Sequence, residues 1–370
     1  MHHPTKTGLA TVLAAVLMTG AAGCGSRSGD SVPTDSAGSA ISAKRCAENK
    51  AAGKITYLSG YQFQASASIL EYVAASKLGY FRDMCLDVEL KPGTGDTAQG
   101  SKLLASGQAK VSAIAEQDLI QARANGIDIT GISSYSNAGL DILMTNRDIT
   151  DLAQLNGKVV GHKGFVPASV EAMMVKVGVR WDSLKLVKEG YDPSVLPRRQ
   201  GGLEALTGFI SNEPNQLKAA GHDITVWKPV EYGIPSSLGA MAANPDFARA
   251  HPHAIEDILR AALRAYDYCS SSDAHVVECV GYAAQVSGAT YDKDLNATIW
   301  KTETQVIRDN PTRGQPLGGI DLDNVAKLVD MLHEFKIVPS GVTADQAKGW
   351  FDVSFVAHIY HGDKVIWPAP

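Results

Sequence analysis

Asn212 and Glu213 stand side by side before Pro214. A carboxamide next to a carboxylate can read an amine and an adjoining ring nitrogen through paired hydrogen bonds, and its other common use is to cap a strand end. Glu116, with Gln117, follows the apolar run Val111 to Ala115 and is open to two similar uses: a cleft carboxylate or a helix-start group, which Asp118 can also supply. Aromatic residues recur where loops should lie. Tyr61 and Phe63 follow Ile55 to Leu58, Tyr135 shares the polar stretch Ser133 to Gly139 with Asn137, Phe165 lies within Gly164 to Ser169, and Tyr232 follows Glu231. Flat apolar faces of this kind stack a planar solute, while core packing is their competing use. Backbone N–H groups at a helix start near Ala168 would be ready donors for an anion or a carbonyl. His162 ends a strand-like run, and His251 and His253 bracket Pro252, but no Ser/His/Asp or Cys/His arrangement follows from these spacings. Gly201-Gly202 lacks the setting of a nucleotide fingerprint. The chemistry offered is recognition, with no catalytic residue and no cofactor expected.

The five cysteines divide by position. Cys24 ends Ala21-Ala22-Gly23-Cys24, behind a short n-region holding Lys6 and the apolar run Gly8 to Met18. The pattern resembles a bacterial lipobox, with Ala21 where Leu is commoner. Residues 1–23 are expected to be a signal peptide and Cys24 the lipidated residue. Residues 24–45 form the expected tether, because Gly25 to Ser42 is rich in Ser, Gly, Asp and Ala and nearly empty of large apolar side chains. That leaves Cys46, Cys85, Cys269 and Cys279, an even set suited to two disulfides in an oxidising compartment. Cys46 and Cys85 each precede a strand, and adjacent parallel strands would bring them together; Cys269 and Cys279 flank a short Ser-rich loop. The expected pairs are Cys46–Cys85 and Cys269–Cys279. No ligand-spaced Cys/His cluster argues for a metal.

The elements that position these residues follow from periodicity. Short strands alternate with helical stretches from Lys54 to Ser133, and the rhythm restarts after Leu140 and runs to Asn212. Long helices follow, expected over Asp246–Tyr268, Val276–Ala284, Leu295–Arg308, Leu322–Phe335 and Ala344–Lys348. The reading is α/β, with two lobes, each a mostly parallel sheet flanked by helices. The first lobe is expected to hold residues 46–140 and 233–370, the second 141–232, with crossings near Asp141–Thr145 and Thr225–Tyr232. Facing sheets focus their carboxyl-end loops on one cleft. With 370 residues, 45% hydrophobic and 20% charged, the chain is long enough for two such bodies. Its net charge of −5 gives no case for nucleic acid.

Several stretches together resemble one branch of the type II periplasmic binding proteins, the branch serving thiamine-pyrimidine, riboflavin, aliphatic-sulfonate and nitrate importers. They are Ala74 to Phe81 with Leu86 to Leu90, Leu103 to Val111, Gly208 to Pro214 with Glu231 to Pro235, and the helix from Ala248 to Tyr268. Cys85 stands where that family usually has Gly, and Lys110 where a small or acidic residue is usual. The likeness spans Lys54 to Phe355. It implies an extracytoplasmic solute-binding lipoprotein held to the membrane by lipid alone. A monomer is expected, working with an ABC permease and ATPase on a small molecule. The Asn212-Glu213-Pro214 and Tyr232-Gly233-Ile234 motifs resemble those of members that bind aminopyrimidine thiamine precursors. A small anion such as a sulfonate, taurine or nitrate is the rival, with Arg198 and Arg199 as its donors. The thiamine-pyrimidine-forming enzyme shares the fold but carries a cysteine-rich iron motif absent here. Expected ligand residues are Tyr61, Phe63, Glu116, Tyr135, Asn137, Phe165, Asn212, Glu213 and Tyr232.

Overall fold

The structure, a computed structural model, describes residues 40–370. The expected signal peptide, Cys24 and the tether as far as Ser39 lie outside the described residues. The tether stops short of residue 45, because α1 (Ala43–Ala51) has already begun, capped by the Ser42 hydroxyl on the Arg45 amide. Arg45 explains why. It is buried, its guanidinium donating to Glu256 and Asp257 at 2.7–3.0 Å. Next to it Cys46 is bonded to Cys85, with Cα atoms 5.2 Å apart. Cys269 and Cys279 form the other bond, Cα atoms 5.8 Å apart.

After α1 come β1 (Lys54–Leu58), α2 (Leu70–Lys77), α3 (Tyr80–Asp83), β2 (Asp87–Lys91), α4 (Thr97–Ala105), β3 (Val111–Ala113), α5 (Glu116–Ala124) and β4 (Thr130–Ser133). A second run supplies β5 (Asp141–Asn146), β6 (Val159–His162), α6 (Ala168–Lys176), β7 (Lys185–Lys188), β8 (Leu203–Phe209), α7 (Glu213–Ala219) and β9 (Ile224–Trp227). The chain then returns through β10 (Met241–Ala243) to α8 (Pro245–Ala250), α9 (Pro252–Ser270), α10 (Asp273–Ser287), α11 (Lys293–Asp309), α12 (Leu322–Glu334), α13 (Ala344–Lys348) and α14 (Ser354–Ile359). A two-stranded hairpin, β11 (Tyr360–His361) and β12 (Lys364–Val365), follows.

Two five-stranded sheets result, in the orders β2-β1-β3-β10-β4 and β7-β6-β8-β5-β9. Both are mixed. In the first, β10 enters antiparallel between β3 and β4. In the second, β5 runs antiparallel to both β8 and β9, so the two expected crossings are themselves strands of that sheet or lead straight out of it. The short Met-Ala-Ala of β10 has no β-branched residue and no alternation, since all three residues are buried. The sequence gives no warning of it.

The helix expected over Asp246–Tyr268 is two. His251 adopts φ −135° and ψ 57° between α8 and α9, because Pro252 disfavours the helical region for the residue before it. Behind the first sheet, Ile55, Tyr57, Leu70 and Tyr72 join Ile255, Ile258, Leu259 and Leu263 of α9 in one apolar core. Ile142, Met144, Leu203, Leu206 and Leu217 form a smaller one under the second sheet. These cores fix the strands, and the strands fix the loops at their ends.

Candidate functional site

A cavity of about 1040 Å³ is lined by loops of both sheets. The first sheet contributes Gly60 after β1, Thr94 to Ala98 leading into α4, Ala113 to Ala115 at and after the end of β3, and Gln117 and Asp118 on the first turn of α5. The second contributes Leu140 and Asp141 at the start of β5, Phe165 to Ser169 leading from β6 into α6, and Phe209 at the end of β8. Pro235 to Ala240, the segment entering β10, closes the circuit. Most of these are carboxyl ends of parallel strands, where α/β sheets place ligands. A second cavity of about 870 Å³ shares Gly139, Asp141, Ser169 and Ser236 with the first, and extends past Lys228, Lys301 and Arg308.

The larger cavity has a one-sided electrostatic character. Asp96, Asp118, Asp141 and Glu171 line it, and among the described residues no Lys, Arg or His does. Burial pushes the Asp118 carboxyl up to about 6, the nearby Asp141 charge adds to the rise, and the Thr97 hydroxyl opposes it. Burial likewise pushes Asp141 up to about 6 against the Ser169 hydroxyl, which donates to its Oδ2 at 3.3 Å. Glu171 is raised by burial. Such a wall favours a cation or a cluster of N–H donors and repels an anion. Phe165 is 77% exposed and Phe209 45%, with the Lys163 ammonium 5.5 Å from the centre of the Phe209 ring. The cavity thus offers acceptors at its floor and two ring faces at its edge.

A family model described as NMT1/THI5 like matches residues 66–274. The chain belongs to this family. Among its relatives is a protein named formylaminopyrimidine-binding protein, from Halalkalibacterium halodurans; it is 25% identical over 291 residues, which cover 75% of this chain and 84% of that one. Among solved structures, the periplasmic aliphatic sulphonate binding protein SsuA of Escherichia coli superposes with a TM-score of 0.59 at 15% identity, over 80% of this chain and 91% of that one. The desulfurization enzyme DSZB superposes with a TM-score of 0.51 at 14% identity, over 82% of this chain and 97% of that one. The fold is therefore the periplasmic-binding-protein fold, and it hosts both binders and at least one enzyme.

Set in this NMT1/THI5-like frame, the residues expected at the site scatter. Phe165 lines the cavity. Tyr61 sits at its edge, its ring beside Gly95. Phe63 is half-buried, its carbonyl accepting from Ser287 at 2.5 Å. Tyr232 packs partly buried on the core that holds Met173 and Leu143.

The remaining expected residues are spent inside the protein. Glu116 is 1% exposed and turned inward, accepting from the Asn324 amide at 3.1 Å. Burial pushes its carboxyl up to about 7, with Asp321 adding and the Ser134 and Asn324 donors opposing. Tyr135 is 1% exposed, donating to Glu71 at 2.9 Å. Asn137 donates to Asp321 at 2.7 Å.

Glu213 is turned into the protein. It is 1% exposed, pairs with Lys163 and accepts from the Phe209 amide at 2.6 Å. Asn212 accepts from Gln216 at 2.8 Å. The motif therefore builds the turn after β8, and what it presents to the cavity is Phe209. Arg198 and Arg199, the anion donors considered from sequence, pair instead with Asp192, Asp148 and Glu204. Asp118 and Asp141, which line the cavity, are not among the ligand residues expected from sequence. In sequence, Asp118 has an ordinary use at a helix start, and Asp141 lies inside a crossing strand.

Proposed function

We propose that this chain is the extracytoplasmic solute-binding component of an ABC importer and captures a small aminopyrimidine or related amine-bearing heterocycle, without turnover. The observation that carries the reading is the acidic cavity. Asp118 and Asp141 stand ready to accept from an amine or protonated ring, and no basic side chain is among the described residues lining it. Phe165 and Phe209 supply faces for a flat ring. The name of the Halalkalibacterium relative agrees with that chemistry. In this reading residues 46–140 with 233–370 form one lobe and 141–232 the other. Closure over the solute is a two-state equilibrium biased by contacts to both. Cys24 carries the lipid that keeps the protein at the membrane, beside its permease and ATPase.

Thermal unfolding with a panel of solutes tests this. At about a hundred times its dissociation constant, a ligand adds roughly 2.7 kcal/mol to folding, which is readily seen as a raised midpoint. The panel holds 4-amino-5-aminomethyl-2-methylpyrimidine, its N-formyl derivative, thiamine, riboflavin, taurine, an alkanesulfonate and nitrate. Stabilisation by the pyrimidines and not by the anions is the expected result. Stabilisation by taurine, the sulfonate or nitrate alone would refute the amine reading.

A further inference from the structure

Glu303 is an expensive residue to place where it is. It lies on α11 with 0% exposure, and burial pushes its carboxyl up to about 7, against the hydroxyl and amide donors around it. An aliphatic side chain at the same helical position would avoid that desolvation. What the carboxylate gains is a set of donors from two distant places. The Ser66 hydroxyl reaches both of its oxygens, at 2.8 and 2.7 Å, and the Ala67 amide donates to Oε2 at 2.8 Å. These residues follow β1 of the first sheet, and the next residue, Ser68, lines the large cavity. The third donor comes from the other sheet. Ser211, in the turn after β8, donates to Oε1 at 2.8 Å, two residues beyond the cavity-lining Phe209. One turn further on, Asn215 donates to Thr302 of α11 at 3.3 Å.

The first-sheet side of this joint is held unusually firmly. Ala65 donates to the Asn296 side chain at 2.8 Å and Ser68 to Glu71 at 2.6 Å, both through their backbone amides. The Ser68 carbonyl takes the Tyr57 hydroxyl, and Ser68 sits at φ +59°, a left-handed conformation that serine seldom adopts. Backbone held in so uncommon a conformation by three buried side chains is a fixed wall. The Ser211 turn meets that wall through Glu303, and it meets α11 again through the Asn215–Thr302 bond.

We infer that Glu303 is a positioning residue that fastens the Ser66–Ser68 wall of the first sheet to the Ser211 turn of the second, setting the sheet spacing at which the cavity holds its solute. Glu303 touches no solute. It acts by deciding where Phe209 and Ser68 stand relative to one another. Its effect on solute affinity rests on the capture function proposed above, whereas its effect on sheet spacing does not.

The test uses Ser211→Ala in the full-length protein in detergent, with genetically encoded spin labels at the exposed Lys102 and Lys185. This change removes the cross-sheet bond and leaves the Ser66 and Ala67 bonds in place. Pulsed EPR without solute should show a longer, broader distance distribution than in the parent. Dissociation of the aminomethyl pyrimidine should accelerate by roughly tenfold, the scale of a hydrogen bond to a charged group. Ser211→Thr, which restores the hydroxyl, should return both readings toward the parent. An unchanged distance distribution in Ser211→Ala overturns the inference. So does equal opening in Ser211→Ala and Ser211→Thr, since the hydroxyl would then not be the fastener. If the parent fails to bind the pyrimidine, the capture reading falls, and the distance measurement still decides the role of Glu303.

Discussion

Replacing Asp118 or Asp141 by Asn should weaken capture of an aminomethyl pyrimidine and change how binding responds to pH. Asn keeps the size of each side chain and removes its charge. A hydrogen bond to a charged group contributes about 1.5–3 kcal/mol, so each substitution should cost roughly 10- to 100-fold in affinity. The pH response follows from both carboxyls being pushed up to about 6. A protonated carboxyl no longer attracts an ammonium, so affinity is present above that value and lost as pH falls through it. At pH 5 a group titrating at about 6 is only about one-tenth ionised, which means an approximately tenfold loss for each carboxylate that must be charged. The primary ammonium of the probe stays charged throughout this range. In Asp141→Asn the remaining Asp118 loses one of the two causes of its rise, so the midpoint of the pH response should move lower. Isothermal titration between pH 5 and 8 on parent, both single variants and the double variant reads all of these. Parent-like affinity in both single variants, or a flat pH response in the parent, would refute the assignment of these carboxylates to the site.

Two further outcomes concern stability. Removing the Cys46–Cys85 bond with paired Ser substitutions releases a 39-residue separation and should cost about 4 kcal/mol, whereas the 10-residue Cys269–Cys279 separation should cost about 3 kcal/mol; chemical denaturation of the two variants should rank them in that order. Stability should also rise as pH is lowered from 8 to 5. Glu71, Glu116 and Glu303 are all pushed up to about 7, mainly by burial, so the folded state holds protons that the unfolded chain has released. Their favourable contribution is therefore complete below the ordinary glutamate value and lost as pH rises through about 7. Burial would raise Glu256, but hydrogen bonds from Arg45, His358 and His253 hold it below its ordinary value, so it titrates beneath this window and does not oppose the trend. A midpoint higher at pH 7.5 than at pH 5.5 would contradict this account.

The alternation of strands and helices was open to reading because burial imposes it locally. Val159 to His162 and Ala168 to Lys176 each carry their own periodicity, and the cysteine spacing limited the pairings. The direction in which a loop side chain points carries no such signal. Glu213 lies in a motif that suggests ligand contact, yet its partner Lys163 is fifty residues earlier and takes the carboxylate for the turn. Glu116 and Asn137 are claimed by Asn324 and Asp321 at the start of α12, and Tyr135 by Glu71 on α2. Each of those bonds is decided by tertiary placement, which no window of sequence contains. Asp118 is hard to read for the opposite reason. An acidic residue near a helix start has an ordinary explanation, and only its place on the cavity wall gives it another.

The insertion of β10 between β3 and β4 also governs the order of assembly. Met241–Ala243 is made more than a hundred residues after the two strands it must join, and the whole second sheet intervenes. Until those three residues arrive, the first sheet has two facing rows of unpaired backbone groups, a template for pairing with another chain. β3 and β4 are thus synthesised early and completed late, and a chain interrupted between Ser133 and Met241 carries an open seam through its first sheet.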